Sequence, residues 1–87
     1  MLEKGIYRHF KGRYYELLSV AQHSETMAFF VVYRALYGEW GTWVRPLEMF
    51  DERIEREGKT MKRFSRINDD EAGLMRTRGD LTPPPGL

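Results

Sequence analysis

The sequence predicts a small, mainly β protein whose five or six strands form a strongly bent antiparallel barrel of the SH3-like kind, with one short helical turn. Between residues 5 and 67, apolar and polar residues alternate mostly with a period of two, as in strands that have one buried face. Glycines and short polar stretches interrupt this alternation and mark turns. Closing the sheet would also remove the strand edges at which β proteins aggregate.

The first half of the chain predicts three strands. Alternation over residues 6–11 ends at Gly12, and a longer strand follows over residues 14–23. Residues 23–26 are polar and predict a turn. The Phe, Val and Tyr residues of 28–37 are enriched in sheets, so this segment is expected to pair with the preceding strand as a hairpin.

The second half predicts a short strand, a helical turn and another hairpin. The strand at residues 43–45 has to stop at Pro46, which lacks a backbone donor and suits the first position of a helical turn over 46–49. Residues 50–56 and 61–67 flank a turn and predict the hairpin. An amphipathic helix over 47–57 is the alternative, because its apolar residues also have helical spacing.

Residues 68–87 differ in composition from the rest of the chain. They contain three consecutive prolines and no aromatic ring, so they offer little apolar surface to offset the entropy of ordering. We expect a single β-barrel domain over residues 1–67 and a disordered, flexible tail over 68–87.

Composition excludes several classes of function. Fourteen Lys and Arg against thirteen Asp and Glu give a formal net charge of +1, so no global field attracts nucleic acid or an anionic membrane. The absence of cysteine excludes disulfides, thiolate catalysis and sulfur-ligated zinc, and it fits a cytoplasmic protein. No apolar run approaches the roughly 20 residues of a membrane span, and no membrane association is expected.

Three blocks of the sequence resemble a known family. In order, GIYRHFKGRYYELLSVAQHSET, VVYRALYG and WVRPLEMF are similar to a bacterial family of small uncharacterised proteins, domain of unknown function 1653. The resemblance covers roughly residues 5–64 and implies a compact β domain, with no assigned activity. This chain departs from the family pattern at residues 27–29, where similar members usually carry glycine and acidic residues. The implied pattern comprises Tyr7, His9, Lys11, Gly12, His23, Glu25, Tyr33, Arg34, Tyr37, Trp43, Arg45, Pro46 and Phe50.

Aromatic rings and arginines concentrate between residues 33 and 50. These rings either pack on the barrel or form a stacking face with arginine beside it, the combination that binds flat bases or modified peptide side chains. Arg34 shares a strand face with hydrophobic neighbours, so it either pairs with a carboxylate of Glu16, Glu25 or Glu48 or faces a ligand. The candidate ligand-binding residues are Tyr33, Arg34, Tyr37, Trp40, Trp43 and Arg45.

Two further groups are candidates. One group would lie at the rim of the barrel and comprises Tyr7, His9, His23 and Glu25. Its two imidazoles and one carboxylate could together bind a metal ion. Hydrogen-bonded structural histidines are the default interpretation, and we predict no metal or cofactor. Acidic residues at 51–57 either pair with the basic residues of the first and last hairpins or leave a flank that binds RNA. The basic flank comprises Arg8, Lys11, Arg13, Lys62, Arg63 and Arg66.

The sequence therefore favours a non-enzymatic binding or interaction module with an aromatic and arginine surface patch. Its ligand would be a small molecule, a protein or RNA. Three alternatives stay open: nucleic-acid binding through the basic flank, a small homodimeric assembly or regulatory protein whose seam is formed by the rings of 37–50, and, least favoured, a metal-dependent enzyme that uses His9 and His23. No catalytic residue is assigned, because no catalytic motif is present.

Overall fold

The computed structural model describes residues 2–77. The mainly β, antiparallel character predicted from the alternation is confirmed. In chain order the elements are β1 (Gly5–His9), β2 (Tyr14–Gln22), β3 (Phe29–Ala35), β4 (Thr42–Pro46), α1 (Leu47–Phe50), β5 (Arg53–Arg56), β6 (Lys59–Lys62), β7 (Phe64–Arg66) and α2 (Asp69–Thr77).

Five strands form one antiparallel sheet in the order β4-β3-β2-β1-β7. The first four follow one another as consecutive hairpins, and β7 returns from the end of the chain to pair with β1, with His9 opposite Phe64. The predicted hairpin of the second and third strands is present, and it contains a bulge between Leu17 and Ser19. The first and last strands of the sheet therefore lie side by side.

No closed barrel is found within residues 2–77, and the SH3-like kind is not confirmed. β4 and β7 are the two edges of the five-stranded sheet and are not hydrogen-bonded to each other. β4 ends at Pro46, which has no N–H to continue a ladder, and the chain turns at once into α1. The ring of Phe50 from α1 then lies against rings of β1, β3 and β7. The helical turn thus packs on the side of the sheet that carries Tyr7, Tyr33 and Phe64.

The second hairpin is present as a separate two-stranded sheet of β5 and β6, joined at Glu57 and Gly58. Both turn residues have positive φ, 53° and 77°, as tight hairpin turns require. The last predicted strand is split at Arg63: β6 pairs with β5, whereas β7 pairs with β1. The alternative helix over 47–57 is absent, since α1 ends at Phe50.

Each face of the five-stranded sheet carries part of the core. Tyr7, Leu17, Val31, Tyr33, Phe50 and Phe64 form one buried cluster, and Ile6, Leu36, Ile67, Ala72 and Met75 form the other. The second cluster includes α2, where the sequence predicts a flexible tail. That prediction is corrected for residues 69–77, because Ala72 and Met75 are buried. Residues 78–87 of the predicted tail lie outside the described residues.

No helix among residues 2–77 has the length and apolar character that a membrane span requires.

Candidate ligand-binding face

Alternate residues of the five-stranded sheet place aromatic and basic side chains on one side, which we call the aromatic face. Tyr7 and His9 lie on this side of β1, and the registers place Tyr15 opposite Tyr7 and Phe64 opposite His9. On the other half of the sheet, Tyr33 of β3 lies opposite Trp43 of β4. The aromatic face consists of His9, Arg13, Tyr15, Tyr33, Tyr37, Trp43, Arg45 and Phe64.

Tyr15 lies at the centre of the aromatic face. Its ring is in edge contact with those of Tyr33, Tyr37 and Phe64, at centroid distances of 5.6, 5.5 and 5.3 Å. Its hydroxyl is 3.0 Å from the Tyr37 hydroxyl, so one donates a hydrogen bond to the other. Burial, followed by the hydrogen bond with Tyr37, raises the pKa of Tyr15. The Tyr15 phenol is protonated at neutral pH, as an unshifted tyrosine is, and its hydrogen bond links the two rings.

His9 forms the edge of this face beside β7. Its ring is 4.9 Å from that of Phe64 and 6.1 Å from that of Tyr15. The Lys11 backbone N–H donates to His9 Nδ1 over 3.1 Å, so in the neutral ring Nε2 carries the proton and is a donor. Burial lowers the pKa of His9, and the nearby charges of Arg63, Arg45 and Lys11 act in the same direction.

Two arginines lie over rings of the aromatic face. The guanidinium carbon of Arg13 is 4.3 Å from the centroid of Tyr37, and that of Arg45 is 5.7 Å from the centroid of Phe64. Neither guanidinium forms an ion pair with any residue in the range 2–77. The rings of Tyr37 and Phe64 both contact the ring of Tyr15. Tyr15 therefore connects the two cation–π pairs.

The accessible part of the face is its outer margin. The side chains of Tyr33 and Phe64 are buried, whereas Tyr37 is 38% and Trp43 61% exposed. Trp43 lies two residues before Arg45 on the edge strand β4, on the same side of the sheet. A flat ligand could therefore meet exposed rings and guanidinium groups above a floor of packed aromatics.

Two of the predicted ligand-binding residues lie on the opposite side of the sheet. Trp40 packs against the cluster that includes Met75 of α2. Arg34 lies opposite Glu16 in the register, but it forms no ion pair within the described part of the chain. Its Nε is buried and lacks a hydrogen-bond partner there. The predicted group is therefore divided: Tyr33, Tyr37, Trp43 and Arg45 are together, whereas Arg34 and Trp40 are not.

The predicted rim is not formed. His9 and His23 lie beyond opposite ends of β2, whose nine residues span roughly 30 Å. His23 Nδ1 accepts the backbone N–H groups of Glu25 and Thr26, at 3.1 and 3.2 Å, and so fixes the turn between β2 and β3. Tyr7 is buried and donates its hydroxyl to the Glu3 carbonyl over 2.6 Å. Among residues 2–77, no three His, Cys, Asp or Glu side chains are grouped to hold a metal ion.

Half of the predicted basic flank is paired with carboxylates. Lys62 is 2.9 Å from Asp51, and Arg63 forms an ion pair with Glu52. Arg66 lies 3.9 Å from Glu3 and 3.8 Å from Asp69, and it donates to the Lys4 carbonyl. In the described range, Arg8, Lys11 and Arg13 form no ion pair, and Arg13 belongs to the aromatic face.

The sequence did not single out Tyr15 or Phe64 as members of a site. Tyr15 follows another tyrosine, and only the register with β1 shows which of the two shares a face with His9. Phe64 joins the face because β7 returns to β1, a long-range pairing. Closing a sheet into a barrel brings its first and last strands together, and this consequence of the predicted fold was the signal that could have placed Phe64 there.

Comparisons with known proteins agree with the sequence blocks. The family described as "Protein of unknown function (DUF1653)" matches residues 5–66. The crystal structure of a DUF1653 protein from Bordetella bronchiseptica is similar to this chain at 32% sequence identity and a TM-score of 0.70, covering 77% of this chain and 88% of that one. No curated protein matches the sequence. The match spans β1 to β7 and so contains the whole aromatic face, and the chain belongs to the DUF1653 family.

Proposed function

We propose that the protein is a non-enzymatic binding module that holds a planar ligand against the aromatic face. One observation carries this proposal: Arg13 lies 4.3 Å from the ring of Tyr37, which is itself exposed and hydrogen-bonded to Tyr15. A guanidinium over an aromatic ring adds a planar cationic group to the ring surface and offers N–H donors at its edge. Such a surface is suited to a heteroaromatic ring with acceptor atoms at its edge.

The polar groups around the rings are mainly donors. Arg13 and Arg45 can only donate, and His9 offers Nε2–H while its Nδ1 is held by the Lys11 N–H. The tyrosine hydroxyls can adapt to either role. Nucleobases present ring nitrogens and carbonyl oxygens to such donors and a π face to the rings. We therefore take nucleosides as the first ligand class.

Binding of uncharged nucleosides, measured by calorimetry with the wild-type protein, tests the proposal. Tyr37→Ala and Arg45→Gln are each expected to weaken binding roughly tenfold, because loss of one stacked ring or donor costs about 1–3 kcal/mol. Arg53→Gln is the matched control, since Arg53 is an exposed arginine of the separate β5–β6 hairpin. Equal affinity in Arg45→Gln and Arg53→Gln would refute the assignment, as would the absence of binding by every nucleoside.

The alternatives from the sequence are less well supported. An RNA strand needs a continuous row of cations, but Lys62, Arg63 and Arg66 are paired with carboxylates. The homodimer alternative has one supporting observation: Trp43 and Val44 are exposed on the edge strand β4. Sedimentation at micromolar concentration tests it, and a monomer there would remove it.

A further inference from the structure

A basic cavity lies beside β1; it shares His9 with the edge of the aromatic face and extends to the opposite side of the strand. Its volume is about 230 Å³, and it opens between the five-stranded sheet and the β5–β6 hairpin. Arg8 and Phe10 alternate with Tyr7 and His9 along the chain, so their side chains leave the sheet on this other side. The cavity is lined by Arg8, His9, Phe10, Met61, Lys62 and Ser65.

Two polar side chains of the cavity are adjacent and unengaged. Arg8 of β1 lies directly opposite Ser65 of β7 in the register, so the two side chains leave the sheet together. Within residues 2–77, neither side chain has a hydrogen-bond or ion-pair partner. A guanidinium fork and a hydroxyl are both available to one ligand there.

The charge around the cavity is not balanced. Three cations surround the Phe10 ring, with Lys11 Nζ at 5.8 Å, Arg56 Cζ at 5.5 Å and Arg63 Cζ at 5.8 Å from its centroid. Asp51 and Glu52 neutralise Lys62 and Arg63, respectively. Arg8, Lys11 and Arg56 are left without a carboxylate among the described residues.

We propose that this cavity binds a phosphate group. Arg8 supplies two parallel N–H donors, the geometry that matches phosphate oxygens, and Ser65 supplies a third donor from the facing strand. The Phe10 and Met61 side chains form an apolar part of the lining beside these donors. Lys11 and Arg56 add positive potential without occupying the cavity wall.

This inference does not depend on the proposed function, because its two donors, Arg8 and Ser65, are not part of the aromatic face; the cavity lining shares His9 with that face. Inorganic phosphate, a phosphorylated small molecule and the backbone of a nucleic-acid strand share the chemistry that the cavity recognises. The unpaired cations lie around one cavity and do not form a row, so they suit one phosphate group better than a series of phosphates.

Amide NMR titrations with sodium phosphate, against sodium chloride at equal ionic strength, test the phosphate site. Saturable shifts are expected at Arg8, Phe10 and Ser65 with phosphate only. Arg8→Gln should weaken binding roughly tenfold, since it removes charge-assisted hydrogen bonds. Lys4→Gln is the matched control: it removes an exposed cation next to the start of β1 and should bind as the wild type does. Ser65→Ala is a second, exposed substitution that should weaken binding less.

Shifts that chloride reproduces, shifts that do not saturate, or equal affinity in Arg8→Gln and Lys4→Gln would overturn the proposal.

Three further ligands identify the source of the phosphate. Tighter binding of adenosine monophosphate than of inorganic phosphate, with adenosine leaving the cavity amides unmoved, would support a phosphorylated small molecule. Tighter binding of a five-nucleotide single-stranded RNA, weakening steeply with salt, would support a strand. Either result retains the phosphate site.

Discussion

The ring of Phe50 lies flat on the ring of Phe64, with 4.1 Å between the centroids and 5° between the planes. Phe50 ends the short helix α1, and Phe64 begins β7, the last strand of the sheet. Both rings are buried, and both contact Tyr33. This stack therefore joins the middle of the chain to its last strand and supports the floor of the aromatic face.

Phe50→Ala is expected to destabilise the protein by about 3–5 kcal/mol, because it leaves a cavity among three aromatic rings. Urea unfolding followed by circular dichroism measures this loss. Met49→Ala is the control, since Met49 is the exposed neighbour on the same helical turn and should change stability by no more than about 0.5 kcal/mol. Similar losses in the two variants would show that the Phe50 ring does not hold the fold.

Residues 69–77 are expected to be part of the folded domain. Met75 of α2 is buried against Ile6 and Leu36, so Met75→Ala should cost about 2–5 kcal/mol. Leu74 is 61% exposed on the same helix, and Leu74→Ala should have little effect. Thermal unfolding distinguishes the two variants, and a Met75→Ala protein as stable as the wild type would return this segment to a flexible tail.

Met27 occupies a backbone conformation that favours glycine. Its φ is 66°, at the end of the turn that His23 fixes, and its side chain is 58% exposed. Met27→Gly should therefore stabilise the protein by up to about 1 kcal/mol, since removal of the Cβ strain outweighs the added chain entropy of glycine. Met27→Ala retains the Cβ and should bring no gain. If the Met27→Gly variant were less stable than the wild type, the backbone of Met27 would not be strained.

Stability should fall at acidic pH in part because of His9. Its pKa is lowered in the folded protein by burial and by Arg63, Arg45 and Lys11, so the unfolded chain takes up the proton first. The stability contributed by neutral His9 is complete above the ordinary pKa of about 6.5 and is lost as the pH falls below it towards the folded-state value. Protonation would also remove the acceptor of the Lys11 N–H.

Urea unfolding at pH 7.5 and 5.5 measures this dependence. His9→Gln, which cannot titrate, should lose less stability between the two pH values than the wild type does. An equal loss in both proteins would assign the acid sensitivity to other groups.

The local sequence pattern was sufficient to predict most of the strands, but it did not predict how the strands and helices assemble. Alternation and turn residues predicted the β2–β3 and β5–β6 hairpins, because both depend on neighbouring residues. α2 was missed because its burial is completed by Ile6 and Leu36, far away in the sequence. The open sheet was missed for a similar reason, since Phe50 packs on the sheet through contacts with three strands that are distant in the sequence.

The candidate site was predicted in part. Tyr33, Tyr37, Trp43 and Arg45 are on one face, as expected of a stacking surface. Arg34 could not join them, because successive residues of a strand point to opposite sides. Trp40 follows a turn, where strand alternation does not set direction, and its ring packs towards α2.

A two-dimensional NMR titration of amide and indole N–H signals with nucleosides tests the central claim most directly, because the two tryptophans lie on opposite faces. We expect the Trp43 indole to shift together with the amides of Tyr37 and Arg45, whereas the Trp40 indole, packed against the α2 cluster, does not move. Shifts at Trp40 with Trp43 unmoved, or no shift at either indole, would contradict a binding function of the aromatic face.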